Sequence, residues 1–125
     1  SIGIIPGAGG TQRLPKLIGI SNAKYWIYSA KKFTAMESFD YGFLNFTTKE
    51  SNLLKMGYAL AETIIKNAPI SISSAKQAIN RGFGLILNEA LKEERVAYNI
   101  TLNTKDRIEA LDAFVKKRKP VWKNE

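Results

Sequence analysis

Apolar side chains recur every three or four positions along most of this chain, the spacing that places them on one face of a helix. Ala23, Trp26, Ile27 and Ala30 form one such stripe; Ile108, Leu111, Phe114 and Val115 form another. The pattern predicts short helices over residues 11–18, 21–32 and 35–41, then four longer ones over 53–67, 70–81, 87–102 and 105–119. Pro15 complicates the first and Gly19 ends it, while Ser21 can cap the second, leaving Lys31 and Lys32 at the favourable negative end of its dipole. Thr34-Ala35-Met36-Glu37 has the form of a capping box, and that helix stops at Gly42. Pro69, Gly82 and Pro120 mark later stops, Thr104 is the natural N-cap of the last helix, and Asp106 lies in its first turn, where negative charge is favoured.

Two segments break the helical pattern. Phe43-Leu44-Asn45-Phe46-Thr47 alternates apolar and polar residues over too few positions for a helix, and Ile2 to Ile5 is a short apolar run, so both read as strands. A two-stranded pairing is marginal in water, so such strands need a larger sheet. The expected class is mainly α with one or two short strands. Residues 1–50 carry the glycine turn, short helices and a strand, and residues 51–125 form a helical region.

Composition narrows the chemistry. At 125 residues, 45% hydrophobic and 24% charged, the chain has the balance of one globular unit or part of one. It holds no Cys and no His, which removes disulfides, thiolate nucleophiles, Cys/His zinc sites and every Ser-His-Asp arrangement. No run reaches the roughly 18 apolar residues of a membrane span. The formal charge of +8 favours anionic partners, but the 19 basic residues are dispersed apart from Lys116-Lys117-Arg118-Lys119. That disfavours nucleic acid, which calls for a basic stripe with interleaved aromatics.

The most specific local signal is Pro6-Gly7-Ala8-Gly9-Gly10-Thr11 ahead of a helix, where backbone N–H groups could meet an anion or a polarised water. It fails the dinucleotide pattern, because Gln12 stands where a third glycine is required, and no Gly-Lys-Ser/Thr makes it a phosphate loop. From the residues alone a plain tight turn is favoured, since glycine's usual role is to permit positive φ. Glu62, Glu89, Glu93, Glu94 and Glu109 read as solvated helix faces with ion pairs to neighbouring lysines, and no acid/base pair or metal-ligand cluster stands out. The basic run at 116–119 reads as dipole compensation at a helix end, and Tyr98 and Phe114 as core residues. Trp122, a large aromatic in a short basic tail, is expected to dock on its own domain or on a neighbouring subunit.

Residues 2–19, Ile-Gly-Ile-Ile-Pro-Gly-Ala-Gly-Gly-Thr-Gln-Arg-Leu-Pro-Lys-Leu-Ile-Gly, closely resemble the segment that closes the active site in the enoyl-CoA hydratase (crotonase) family. Asn67-Ala68-Pro69, Ala75 to Asn80, Thr104 to Ala110 and Ala113 to Pro120 resemble successive landmarks of the C-terminal half of that family, in order and over the whole chain. Ser29-Ala30, Thr104 to Arg107 and the basic tail look nearest to its methylglutaconyl-CoA hydratase branch.

The resemblance implies the later part of a spiral of ββα units, followed by helices that organise trimers, often paired into hexamers. It implies an acyl-CoA thioester substrate, with coenzyme A entering only as part of that substrate and no separate cofactor. The family's oxyanion hole, built from two N–H groups, and its two glutamates fall in earlier sequence, the second glutamate just ahead of Ser1. The chain, which opens without an initiator Met, is accordingly expected to be the C-terminal portion of a hydratase and inactive alone. Gly7 matches the position whose backbone N–H holds the attacking water, Tyr98 and Phe114 match positions lining the acyl pocket, and Lys117 matches a basic residue that meets the phosphates of CoA. An intracellular site is expected, either the mitochondrial matrix or the cytoplasm. The competing readings are a noncatalytic helical oligomerisation or interaction module and, behind it, a basic nucleic-acid-binding module whose affinity would fall steeply with salt.

Overall fold

A computed structural model describes residues 3–125. The chain divides into two compact units, Ser1–Leu53 and Leu54–Glu125.

In the first unit, α1 (Gly10–Ile18) and α2 (Ile20–Ser29) pack on each other and bury Ile18 and Ala23. The missing N–H of Pro15 removes one bond from α1, and the helix ends where the Gly19 N–H reaches the Pro15 carbonyl at 3.0 Å. Gly19, not Ser21, is the N-cap of α2, because the helix begins two residues earlier than the polar signal suggests. Ala30 adopts a left-handed conformation (φ 49) and stops α2, so Lys31 and Lys32 lie beyond its last turn. Lys31 instead pairs with Glu37 at 2.7 Å.

The short helix α3 (Ala35–Asp40) carries the expected capping box: Thr34 Oγ1 accepts from the Glu37 N–H and the Glu37 carboxylate accepts from the Thr34 N–H. Its far end corrects the strand expected over 43–47. Gly42, at φ 76, turns the chain back so that the Gly42 N–H meets the Phe39 carbonyl and the Phe43 N–H meets the Ser38 carbonyl, a Schellman motif. The Leu44 N–H is drawn to the same Ser38 oxygen at 3.3 Å. Donors committed to a helix end cannot enter a ladder, and Phe43 packs its ring 5.9 Å from Trp26 in a cluster with Tyr25, Phe33 and Tyr41. Trp26 and Phe33 stack at 4.1 Å. Among the described residues there is no strand, Ile4 and Ile5 included; Ile2 lies outside them.

A 3₁₀ turn at Glu50–Asn52 leads into α4 (Leu53–Ile64), which ends three residues short of the expected Asn67. The second unit continues through α5 (Pro69–Gly82), α6 (Leu87–Leu102) and α7 (Lys105–Val115). Pro69 opens α5, the position where its lacking N–H costs nothing. Small residues let α5 and α6 approach: Ser74 and Ala97 are buried, and a Cβ on Gly82 would sit 3.4 Å from the Cβ of Ala90. α7 stops four residues before the expected Lys119. Its apolar stripe is not core: Ile108 is 65% and Phe114 84% exposed, and Tyr98 on α6 is also exposed. Among the described residues the buried apolar side chains are Ile18, Ala23, Ala97 and Ala113. The helices therefore carry broad apolar faces that these two units do not cover.

Candidate active site

The glycine turn is built from three different constraints. Gly9 is left-handed (φ 84), and its carbonyl receives the Gln12 and Arg13 N–H groups that start α1. Arg13 folds back to donate to the Ala8 carbonyl, closing the turn. Gly10 lies against Pro6, where an added Cβ would come within 2.8 Å of the proline Cβ. Gly7 is neither left-handed nor crowded: it is exposed, with open space where a Cβ would point. Among the described residues no acceptor takes its N–H. The Gly7 N–H is thus one of several donors that the turn leaves open among the described residues, since the Ala8, Gly9 and Gly10 N–H groups meet no acceptor there either.

That donor borders an open cleft of about 870 Å³, lined by Ile4, Ile5, Leu14, Trp26, Ile27 and Phe33 among others. Its walls are mainly apolar, and the Trp26 Nε1 is enclosed without a hydrogen-bond partner among the described residues. A polar molecule entering there would find few competing hydrogen bonds. Among the described residues of this unit, Glu37 is spent on Lys31 and then on its capping box with Thr34, which together hold its carboxyl at about 2, against an ordinary 4.5.

The remaining expected site residues lie in the second unit. Tyr98 borders a groove of about 360 Å³ between α5 and α6, with Ser74, Ala78, Glu94 and Thr101, and its carbonyl accepts from Thr101 Oγ1 at 2.7 Å. Phe114 is not part of that groove's lining, so the structure does not bring the two aromatics into one pocket. Lys117 lies past the end of α7 in a left-handed conformation (φ 51), exposed to solvent. The run 116–119 is therefore not helical.

Sequence reasoning missed how Asp106 and Glu109 hold this end of the chain, while the docking of Trp122 was expected. Asp106 is 1% exposed; its carboxylate accepts from the Lys123 and Asn124 N–H groups at 2.7 and 3.0 Å, and its own N–H donates to the Glu125 carbonyl. Glu109 accepts from both Arg118 Nη groups and, at 2.8 Å, from the Val121 N–H. Trp122 docks within its own unit, its Nε1 donating to the Lys66 carbonyl at 2.9 Å. Of the carboxylates read as solvated pairs, Glu89 behaves so, bonding Lys92 at 2.8 Å. Glu109 does not: it is a tail anchor.

The Arg118 guanidinium and then the Val121 N–H bring Glu109 down to about 2 from an ordinary 4.5. A lowered folded pKa means that the ionised form stabilises the fold above pH 4.5 and that this contribution disappears as pH falls towards 2. In an NMR titration the Val121 amide should shift with a midpoint near 2. A midpoint near 4.5 would show that the anchor is not formed in solution.

Among the described residues no group of three His, Cys, Asp or Glu is placed to hold a metal ion, and no helix is long and apolar enough to cross a membrane.

With this geometry in place, similarity to known proteins is informative. YngF of Bacillus subtilis is 45% identical over 122 residues, covering 98% of this chain and 47% of YngF. Mouse methylglutaconyl-CoA hydratase, a mitochondrial protein, is 38% identical over 128 residues, covering 99% of this chain and 41% of its own length. The crystal structure of an enoyl-CoA hydratase from Bacillus anthracis superposes with a TM-score of 0.94 at 44% identity, covering 99% of this chain and 48% of that one. The chain spans about half the length of the relatives it matches. Methylglutaconyl-CoA hydratases are thus among the relatives, at lower identity than YngF. The sequence model of the enoyl-CoA hydratase/isomerase family matches residues 1–125, so over its whole length the chain belongs to that family.

Proposed function

We propose that this chain supplies the C-terminal part of a 2-enoyl-CoA hydratase, an enzyme that adds water across the double bond of an acyl-CoA thioester. The observation that carries the reading is the Gly7 N–H: a donor without an acceptor among the described residues, in a turn shaped by Gly9 and Gly10, at the rim of an apolar cleft.

A donor there binds the oxygen of a water molecule and leaves its protons free for a base. Held in that way, the water presents a lone pair to the β-carbon of the enoyl group. As the C–O bond forms, charge moves to the thioester oxygen, and a pair of preorganised N–H groups stabilises the enolate. A carboxylate takes the water proton and an acid delivers one to the α-carbon. By the family resemblance those N–H groups and both glutamates lie in sequence ahead of Ser1. Tyr98 and Phe114 are assigned to the acyl pocket and Lys117 to the phosphates of CoA, with subunit contacts in a trimer or hexamer completing them. No cofactor beyond the CoA of the substrate is required, and an intracellular site, mitochondrial or cytoplasmic, fits the relatives whose names place them in mitochondria.

Alone, the 125-residue chain should not hydrate a short 2-enoyl-CoA above the rate in buffer. Clear turnover by the purified chain would overturn the division of labour described above. The exposed apolar faces of α4 to α7 favour one further reading, a noncatalytic oligomerisation module. Self-association in light scattering with no response to CoA would support that module instead.

A further inference from the structure

We propose that Glu109 is the positioning residue for Lys117, fixing the turn after α7 so that this lysine is offered to a phosphate group; the inference rests on the assignment of Lys117 to the phosphates of CoA. α7 closes in a Schellman motif: the Arg118 N–H donates to the Ala113 carbonyl at 3.0 Å and the Lys117 N–H to the Phe114 carbonyl at 3.2 Å. This motif puts its pivotal residue in the left-handed region, the usual place of glycine, as at Gly42 after α3. Here the pivot is Lys117, with a Cβ that disfavours the conformation. Something outside the turn must hold it.

The holding groups are Glu109 and Asp112. Glu109 takes Arg118 in a two-pronged pair, 2.5 and 2.9 Å, and the same carboxylate receives the Val121 N–H, so it grips the chain on both sides of residues 119 and 120. Asp112 takes Arg118 Nη2 at 2.6 Å and Lys116 Nζ at 2.8 Å. Lys116 and Arg118 are thereby neutralised, while Lys117, turned by its positive φ, keeps an ammonium group with no carboxylate partner among the described residues. Two cations of the run serve the turn; Lys117 between them stays available, and Lys119 beyond them likewise has no carboxylate partner among the described residues. A compact ammonium on a fixed backbone suits a phosphate oxygen, which asks for a point charge and not a planar fork.

The test is a titration of the ¹⁵N-labelled chain with CoA, comparing wild type with Lys117→Gln, Glu109→Gln, Arg118→Gln and the Lys117→Gln/Glu109→Gln pair, and with far-UV circular dichroism confirming helix content. Lys117→Gln should weaken CoA binding by up to about fivefold, the reach of one exposed charge contact. Glu109→Gln and Arg118→Gln should each weaken it comparably, and the double variant should bind no more weakly than Lys117→Gln alone. Amide exchange at Arg118 should also accelerate in Glu109→Gln. A Glu109→Gln chain that binds CoA like wild type while Lys117→Gln is weakened would overturn the positioning role. Unchanged binding by Lys117→Gln, or no CoA-dependent shift in wild type, would remove the phosphate assignment and the proposal with it.

Discussion

Replacing Asp106 with alanine should release the C-terminal tail and destabilise the second unit by about 3 kcal/mol, from two orphaned backbone donors at about 1–3 kcal/mol each less what water restores. Asp106 is nearly sealed from solvent, and it carries the tail through the Lys123 and Asn124 N–H groups. Its negative charge also lies in the first turn of α7, beside the exposed N–H groups of that helix end. With the tail gone, the Lys66 carbonyl loses the Trp122 indole as well. Asp106→Asn keeps one acceptor oxygen and should lose roughly half as much. Urea denaturation of the three proteins measures this, with exchange of the Lys123 and Asn124 amides as the local readout. An Asp106→Ala chain within about 0.5 kcal/mol of wild type, the range of an ordinary surface substitution, would show that the tail is not latched there.

The second large effect belongs to the glycine turn. Gly9→Ala should cost about 1–2 kcal/mol, because an L-residue is forced into the left-handed region. Its Cβ would also stand 2.5 Å from the Arg13 Nη1, pushing away the side chain that closes the turn onto Ala8. Gly10→Ala meets a stiffer obstacle, the Pro6 ring at 2.8 Å, so there the backbone itself must move. Gly7→Ala meets no atom within 4 Å and should leave stability nearly unchanged. The Gly7 amide resonance should therefore move strongly in Gly10→Ala, and thermal melting should rank Gly7→Ala above Gly9→Ala. Equal stability of all three would mean that the turn is not constrained as described.

These constraints show why some of the molecule could be read from sequence. The capping box at Thr34 and Glu37 works within four residues, and α6 keeps its period from Leu87 to Leu102 between clear turn signals, so local pattern suffices. The segment 43–47 looked like a strand because alternation says nothing about whether its donors are already taken by the Ser38 carbonyl. The end of α7 was misplaced because Lys and Arg are good helix formers and a left-handed lysine has no sequence signature. Its cause is Glu109, which reaches the Val121 N–H twelve positions on, and Asp106 reaches the Lys123 N–H seventeen positions on. Such pairings leave no periodic trace. The same holds for Phe114 and Ile108, whose spacing announced a buried face without naming what buries it.

The assignment of Gly7 rests on the resemblance and not on a local pattern. Three glycines and a proline ahead of a helix mark a turn that can adopt positive φ, and the family resemblance supplied a proposed role for one of the N–H groups that the turn leaves open. Tyr98, Phe114 and Lys117 carry no comparable local constraint, and the described structure does not gather them into one pocket.

The most direct test of the central claim is a chimera in which this chain replaces the matching 48% of the Bacillus anthracis enoyl-CoA hydratase, with hydration of a short 2-enoyl-CoA as the readout. The predicted result is a soluble, folded chimera that hydrates the substrate, although the 125-residue chain alone does not. A chimera that folds but shows no turnover above buffer would contradict the account.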